Sequence, residues 1–313
     1  MSNLVEERQP SSSLDCPVAD GRRQIQRIAP RTADVGGIPV NRVLPTRQRR
    51  LVGAWCFLDH AGPAVFQGDS DGLQVGAHPH IRLQTFTWML QGEVLHRDSL
   101  GSEQVIRPGQ VNLMTAGRGI SHTEDSVAGE RHLHAVQLWI ALANSHRETE
   151  PRFDPYPDLP QWQSRNAEFT LLIGEYADRK APTLMFSPLV GLDIVAAEAT
   201  ELNLHLTTEF EYGLLPLEGS LTISGETFQA NELAYLGRGR SNVAVGLSEG
   251  GRVILVGGEP LGEEILIWWN FVGHSREEII QAQRDWEAGS DRFGTIPDHP
   301  GKPLTPPPIP LKT

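Results

Sequence analysis

The segment HPHIRLQTFTWML (78–90) carries the most informative pattern in this sequence. Its aromatic and branched residues predict a β-strand, in which successive side chains point to opposite faces of a sheet. By that alternation His78 and His80 lie on one face, two residues apart, where both rings can bind a single ion. The residues that the same alternation places on the histidine face are Arg82, Gln84, Phe86 and Trp88.

The segment ISHTED (120–125) repeats this geometry, with His122 and Glu124 on a common strand face. Together the two segments supply three imidazole nitrogens and one carboxylate oxygen. This donor set suits a borderline divalent ion such as Fe(II), Mn, Ni, Cu or Zn, whereas Mg and Ca prefer more oxygens. Four protein ligands leave one or two coordination positions open, which is typical of a catalytic metal site. The competing interpretation is that these histidines are surface residues at strand ends and turns.

Short β-rich segments continue on both sides of the motifs, separated by turn sequences such as GGIP (36–39) and RPGQ (107–110). A second β-rich stretch runs from Phe169 to Trp269. Between the two stretches, PRFDPYPDLPQ (151–161) carries four prolines, which suit an extended connector and not a strand interior. We therefore predict an all-β protein with two tandem barrels and a short C-terminal helix.

The predicted organisation has five parts. They are a flexible leader (1–21), an N-terminal domain with the metal site (22–150), a linker (151–164), a C-terminal domain without metal ligands (165–272), and a helix with a proline-rich tail (273–313).

The last part begins with HSREEIIQAQRDWEA (274–288), where Ser275 is positioned as a helix cap and Glu278 follows three residues later. This spacing predicts one amphipathic helix. The tail after it is too rich in proline for regular structure other than polyproline II. We interpret the tail as a surface strap, with a proline-rich ligand for a partner as the alternative.

The two β-rich halves resemble one another. Aligning MLQGEV (89–94) with PLEGSL (216–221) places His205 opposite His78 and Thr207 opposite His80. A duplicated barrel is predicted, whose second copy cannot hold a metal in the same way. His205 is interpreted as a core or surface histidine.

Composition restricts the class of protein. At 313 residues with 39% hydrophobic residues, the chain can build two cores. The net charge of −12 opposes the phosphate contacts on which nucleic-acid binding depends. No stretch approaches the ~18 apolar residues of a membrane span, and only Cys16 and Cys56 are present. We expect a soluble, cytoplasmic monomer that binds neither nucleic acid nor membrane.

Longer motifs support a family assignment. The frames G-A-H-P-H-x3-Q-x7-G (76–92) and R-P-G-x12-H (107–122) resemble the two cupin motifs. FLDHAGP (57–63), the segment 95–124 and QLWIAL (137–142) resemble the pirin family in particular. The likeness extends to the final helix and covers nearly the whole chain. It implies two tandem cupin domains, each a double-stranded β-helix or jelly-roll barrel.

Position by position, the resemblance implies metal ligands at His78, His80, His122 and Glu124. Many pirins have glutamate where this chain has Gln84. That difference is expected to spare metal binding but to change hydrogen bonding near the open coordination positions. Arg82 stands where related sequences often have glycine, and is expected to narrow or charge the mouth of the pocket.

The resemblance further implies quercetin 2,3-dioxygenase activity, in which O2 opens the ring of a flavonol and carbon monoxide leaves. Fe(II) is the expected metal, and Glu124 would be both ligand and catalytic base. The partner would be a small aromatic, flavonol-like substrate. The alternative is a non-enzymatic metal or redox sensor that binds a transcription factor or metabolic enzyme. A cupin isomerase or another dioxygenase also remains open.

Several neighbours of the site have two interpretations each. Asp59 and His60 either orient the ligand imidazoles or cap a turn. Phe86 and Trp88 either line an apolar substrate pocket or belong to the barrel core. The segment His96-Arg97-Asp98 is interpreted as part of a hairpin whose charges are solvated or paired locally.

Overall fold

The computed structural model describes residue 16 and residues 18–19, 22–68, 70–297 and 301–309. Strands account for about 52% and helices for 6%, which confirms the all-β class. Most of the predicted flexible leader lies outside the described residues. Cys16 does not fit that prediction, because it is buried and its Sγ donates to the Tyr235 carbonyl at 3.2 Å.

The described residues in the first half of the chain form fourteen strands. These are β1 (Val18–Ala19), β2 (Arg22–Arg23), β3 (Gln26–Ile28), β4 (Arg31–Val35), β5 (Ile38–Leu44), β6 (Trp55–Val65), β7 (Gln74–His80), β8 (Leu83–Gln91), β9 (Val94–Asp98), β10 (Glu103–Ile106), β11 (Val111–Thr115), β12 (Ile120–Ser126), β13 (His132–Ala141) and β14 (Arg152–Tyr156). A short 3-10 helix, Asn144–His146, precedes β14.

In the second half, the part of the chain that the structure describes adds thirteen strands, one α-helix and a second 3-10 helix. These are β15 (Gln161–Ser164), β16 (Ala167–Tyr176), β17 (Arg179–Lys180), β18 (Leu189–Ala196), β19 (Thr200–His205), β20 (Glu211–Glu218), β21 (Ser220–Ile223), β22 (Glu226–Gln229), β23 (Leu233–Tyr235), β24 (Asn242–Leu247), β25 (Arg252–Gly258), β26 (Leu266–Trp268), β27 (Phe271–Gly273), α1 (Arg276–Glu287) and a 3-10 helix, Asp291–Phe293.

Each half forms a barrel from a large and a small antiparallel sheet. The first barrel has the orders β14-β11-β8-β13-β6-β5-β4 and β10-β9-β12-β7. The second has the orders β15-β16-β18-β25-β20-β23-β3 and β19-β24-β21-β22. Strand for strand, the small sheets have the same order, and β11-β8-β13-β6 corresponds to β23-β20-β25-β18. This correspondence confirms the predicted duplication.

The boundaries between the parts differ from the prediction. The segment assigned to the linker contributes an edge strand to each large sheet, since β14 pairs with β11 and β15 pairs with β16. Pro155 is accommodated in β14 because an edge strand needs no N–H partner on its outer side. Strand β3, from the start of the chain, completes the second barrel, and β27 returns to the first barrel through a bridge between Phe271 and Ile81.

The segment 78–90 is not one strand. Strand β7 ends at His80, Ile81 makes an isolated bridge, and Arg82 has a left-handed backbone with φ of 57°. Strand β8 then begins in the other sheet of the barrel. The predicted alternation across this segment is therefore wrong, because a left-handed residue between two strands resets which side chains face inward.

The two large sheets pack against each other on their outer faces. Trp55, Phe86 and Trp88 of the first barrel share a core cluster with Leu215 and Ile254 of the second. Both tryptophans also bond across the interface: Trp55 Nε1 donates to the Gly257 carbonyl at 3.1 Å and Trp88 Nε1 donates to Asp193 Oδ2 at 3.2 Å.

The predicted helix is confirmed as α1, with Ser275 as its cap accepting from the Glu278 N–H at 3.3 Å. The tail crosses the first barrel: the Leu304 N–H donates to the Ala77 carbonyl at 2.8 Å, and Trp286 Nε1 donates to the Leu304 carbonyl at 2.9 Å. Over residues 301–309 the tail thus packs as a strap. Among the described residues, no helix has both the length and the apolar character needed to cross a bilayer.

The contact between Glu211 and Gly53 joins the barrels and makes stability depend on pH. Glu211 is fully buried; its carboxylate accepts from the Gly53 N–H at 2.7 Å and from the Tyr235 hydroxyl at 3.1 Å. Burial raises the pKa of Glu211 from 4.5 to about 7. Because its pKa is lower when unfolded, the protein should lose stability as pH rises between these values, by at most about 3 kcal/mol.

We expect Glu211→Gln to remove most of this loss. Urea unfolding of both proteins at pH 5 and pH 8 measures it, and the wild-type protein should lose more free energy of unfolding between the two pH values. Parallel changes in the two proteins would contradict the assignment to Glu211.

Candidate metal centre

Two backbone carbonyls orient the rings of His78 and His80 on β7. His78 Nδ1 lies 2.8 Å from the Gly76 carbonyl, and His80 Nδ1 lies 2.9 Å from the Asn270 carbonyl. A carbonyl oxygen can only accept, so each Nδ1 carries the hydrogen and each Nε2 holds a lone pair. Both rings thus present the nitrogen form that binds metals.

Successive hydrogen bonds from His122 to His96 and from His96 to Asp98 favour the same tautomer in His122. We call this series the Asp98–His96–His122 relay. Asp98 accepts from the Leu100 and Ser102 N–H groups and lies 3.2 Å from His96 Nε2. When His96 Nε2 donates to this carboxylate and the ring carries one hydrogen, its lone pair is on Nδ1. That atom lies 3.3 Å from His122 Nδ1, which donates to it and leaves the lone pair of His122 on Nε2.

The three histidines converge. One ring nitrogen from each of His78, His80 and His122 lies within 4.8 Å of the others, and His80 Nε2 is 3.1 Å from His122 Nε2. Two lone pairs facing each other repel unless a cation lies between them. Nitrogens bound to one ion at about 2.1 Å and at right angles are separated by about 3 Å. The donor set, its tautomers and this spacing fit a divalent transition metal ion.

Burial keeps these imidazoles uncharged. All three histidines are buried, with His122 only 1% exposed. Desolvation lowers the pKa of His78 to about 4, and it holds the pKa values of His80 and His122 well below their usual range. At neutral pH the rings are therefore neutral and can bind a cation without first losing a proton.

Among the described residues, Glu124 does not group with His78 and His80, although it lines the same cavity. Its carboxylate forms a second group with His96 and His122, whose ligand atoms also lie within 4.8 Å of one another. A β-bulge between His122 and Glu124 shifts the pairing of β12 with β7, and such bulges redirect the side chains that follow. Burial raises the pKa of Glu124, while its side chain reaches the cavity described below.

The contribution of His96 and Asp98 to the site was not predicted from the sequence. Their charges were expected to be solvated or paired locally. Local pairing is confirmed, since His96 Nε2 lies 3.2 Å from Asp98 Oδ2, but neither side chain is solvated, because His96 is 2% exposed and Asp98 is fully buried. His96 stacks on Phe153 with 4.2 Å between ring centroids. The available signal was the alternation of His96 and Asp98 on one strand face, in a hairpin strand that could pair with the segment carrying His122.

Asp59 and His60 contact none of the candidate ligands in the hydrogen bonds of the described residues. Asp59 accepts both bonds of a bidentate ion pair with Arg42. His60 Nε2 lies 2.7 Å from His134 Nε2, and His60 Nδ1 lies 2.6 Å from Asn231 Oδ1 of the second barrel. Neither residue caps a turn in the part of the chain that the structure describes. Asp59 lines the cavity, and His60 joins the two barrels.

Because the left-handed backbone at Arg82 interrupts the alternation, the residues after His80 do not lie beside the candidate ligands as predicted. Arg82 does not charge the pocket mouth, because its guanidinium pairs with Glu148 and Glu278. Gln84 faces away from the candidate ligands, and its Nε2 donates to Thr115 Oγ1 at 3.0 Å. Phe86 and Trp88 lie in the core between the barrels and not in the pocket. The expected effect of Gln84 on the open coordination positions is therefore not supported.

A cavity of about 510 Å³ lies between the two sheets of the first barrel, with the candidate ligands on one wall. The opposite wall carries Thr85 and Thr87 of β8, together with Phe57 and Trp139, whose rings stack with 4.1 Å between centroids. Leu304 of the tail and the β26–β27 turn also border the cavity. In the second barrel, apolar side chains fill the interior and His205 is exposed, as the sequence analysis expected.

Replacing His96 tests whether its contact with His122 fixes the tautomer of His122. We expect His96→Leu to weaken metal binding about 10- to 100-fold, because His122 loses the acceptor that directs its lone pair inward. Competition with a chromogenic chelator for Co(II) measures this affinity. His132→Leu is the matched control, since His132 is 44% exposed and outside the site. Equal metal affinities in both variants would show that His96 does not orient His122.

Comparison with known proteins agrees with this architecture. A model described as Pirin matches residues 37–140, and a model described as the Pirin C-terminal cupin domain matches residues 191–294. A Pseudomonas aeruginosa protein named "Putative quercetin 2,3-dioxygenase PA1205" is 58% identical over 313 residues, covering 100% of this chain and 99% of its own. A "Pirin-like protein" of Caulobacter vibrioides is 36% identical over 278 residues, covering 86% of this chain and 94% of its own.

Among solved structures, the crystal structure of quercetin 2,3-dioxygenase from Acinetobacter baumannii superimposes with a TM-score of 0.90. It is 46% identical and covers 92% of this chain and 97% of its own. Because both family models match and these relatives align along most of their length, the chain belongs to the pirin family and contains both of its cupin domains.

Proposed function

We propose that this pirin is a metal-dependent dioxygenase of the quercetin 2,3-dioxygenase type. The observation that carries the proposal is the convergence of His78, His80 and His122 at the wall of a cavity of about 510 Å³. Small-molecule sites are concave, mostly apolar and of this size. The names of the Pseudomonas and Acinetobacter relatives support the same chemistry.

In this proposal His78, His80 and His122 hold the ion through Nε2, and Glu124 supplies the oxygen ligand. Fe(II) is the proposed metal, and Mn, Ni, Cu and Zn suit the same nitrogen and oxygen donors. When bound, the ion acidifies a substrate hydroxyl and allows the electron-rich anion to react with O2.

The cavity accommodates a flat substrate. The stacked rings of Phe57 and Trp139 face it, and the Trp139 ring lies 5.2 Å from the His80 ring, centroid to centroid. A flavonol whose 3-hydroxyl points at the candidate ligands would pack its rings over this aromatic pair. Glu124 would take the proton of the 3-hydroxyl on a carboxylate oxygen. O2 then adds to the central ring, which opens and releases carbon monoxide.

Turnover of quercetin tests the proposal. The protein is loaded in turn with Fe(II), Mn, Ni or Cu, mixed aerobically with quercetin, and followed by loss of quercetin absorbance and release of carbon monoxide. We expect turnover with at least one metal, and its loss by at least 100-fold in His80→Ala and Glu124→Gln. His205→Ala, which changes the corresponding but exposed residue of the second barrel, should retain it.

An inert protein with every metal would overturn the enzymatic proposal. If such a protein also captured a defined partner only when loaded with metal, the site would instead serve a metal-dependent regulator.

A further inference from the structure

A row of polar side chains crosses the cavity wall opposite the candidate ligands, at right angles to the strands. We call this wall, formed by the large sheet, the cavity floor. Thr87 on β8 is directly opposite Gln137 on β13, Gln137 is opposite Asp59 on β6, and Asp59 is opposite Arg42 on β5. Directly opposed residues point to the same face of a sheet, and all four side chains line the cavity. We call these four residues the polar row.

The polar row offers hydrogen-bonding groups to the cavity. The Thr87 hydroxyl donates to Gln137 Oε1 at 2.7 Å. The carboxylate of Asp59 accepts from Arg42 Nε at 2.7 Å and from Arg42 Nη2 at 2.6 Å. The amide nitrogen of Gln137 makes no hydrogen bond among the described residues, so its two N–H groups are available to a ligand.

A buried amide extends the row to a fifth strand. Asn112 on β11 is opposite Thr87, on the same face of the sheet, and is only 2% exposed. Neither Nδ2 nor Oδ1 of Asn112 has a hydrogen-bond partner among the described residues. Asn112 does not itself line the cavity, but a buried polar group without a partner costs about 1–3 kcal/mol, so the strands beside the polar row retain polar atoms that folding alone does not satisfy.

The second barrel provides an internal comparison. Its equivalent strands carry a row in the same register, in which every residue is apolar and fully buried. The members of this row are Leu171, Leu192, Leu214, Leu255 and Ala234. One copy of the duplicated barrel therefore fills this level with leucine, whereas the other keeps it polar and hollow. Packing of a barrel interior does not require the polar row.

The strand positions give the distance between the polar row and the aromatic pair that lies beside the candidate ligands. The pair Phe57 and Trp139 lies nearest His80, and the polar row follows two residues further along each strand. Two residues of a strand span about 7 Å. A molecule that reaches from the candidate ligands across the aromatic pair to the polar row is longer than one ring and is flat where it crosses the pair.

We propose that the polar row binds phenolic hydroxyl groups on the part of the substrate remote from the metal, and so selects polyhydroxylated flavonols. This inference rests on the proposed function. The row presents donors on Gln137 and acceptors on Asp59 and Thr87, which matches a hydroxyl group that both donates and accepts. The ion pair with Asp59 neutralises Arg42, so the row suits neutral hydroxyls better than a carboxylate or phosphate.

Comparing two ligands distinguishes binding at the polar row from binding at the metal. Quercetin carries ring hydroxyls, whereas 3-hydroxyflavone keeps the 3-hydroxyl and carbonyl but lacks the others. Affinities are measured by isothermal titration on the metal-loaded protein under anaerobic conditions, so that no turnover occurs. We expect the wild-type protein to prefer quercetin by at least about 10-fold, the equivalent of one or two net hydrogen bonds.

Two near-isosteric variants locate the selectivity. Thr87→Val and Gln137→Leu should each weaken quercetin binding by about 10-fold and leave the affinity for 3-hydroxyflavone within about 2-fold. Thr170→Val is the matched control, because Thr170 is also buried, at 5% exposure, but lies in the second barrel. Metal content and thermal unfolding are measured for each variant, which shows whether the change is confined to the ligand.

The outcomes are distinct from those of the turnover experiment. Equal loss for both ligands, unchanged selectivity in both variants, or a wild-type protein that binds neither flavonol or does not distinguish them would overturn the inference. Selective binding without turnover would support the polar row while contradicting the dioxygenase proposal. Turnover of both flavonols without selective binding would support the dioxygenase proposal and contradict the role of the polar row.

Discussion

The left-handed turn at Arg82 is the constraint on which the site depends. It takes the chain from the small sheet, which carries His78 and His80, directly into the large sheet that forms the cavity floor. The metal ligands and the floor therefore face each other across the barrel within a few residues of sequence. A left-handed backbone is costly for a residue with a side chain, and the buried guanidinium is held by Glu148 and Glu278 of two separate segments.

The contact with Glu278 also connects the end of the chain to the site. Helix α1 begins beside Arg82, the β26–β27 turn supplies the Asn270 carbonyl that orients His80, and the strap places Leu304 at the cavity. The C-terminal segment, which follows the second barrel in sequence, thus completes the first. The first barrel, which carries all the candidate metal ligands found among the described residues, is therefore completed by sequence that follows the second barrel.

Duplication with divergence accounts for the different roles of the barrels. Both have the same order of strands, but the second is filled by apolar side chains and the first keeps buried polar groups. Filling a barrel with leucine yields more hydrophobic stabilisation than keeping it hollow. The second barrel and its apolar interface with the first therefore contribute stability, while the first retains the histidines and the polar row at some cost in packing.

The amino-acid sequence was sufficient to predict the all-β class, the duplication, the capped helix and the family, because each depends on local periodicity or on a long motif. The residues His78, His80 and His122 could be grouped because each pair of motif residues lies within a single strand segment. Alternation failed beyond His80, since it assumes an uninterrupted strand. The glycine that related sequences often carry at position 82 was the one local sign of a left-handed turn there.

Other features depended on tertiary structure alone. The contacts of His96 with His122, and of Asp59 with Arg42, arise from pairing between strands that are distant in sequence, and register across a sheet is not visible in any one strand. The exchange of β3 and β27 between the barrels has the same origin. Local patterns thus specify which side chains are available, whereas the closure of the sheets decides which of them meet.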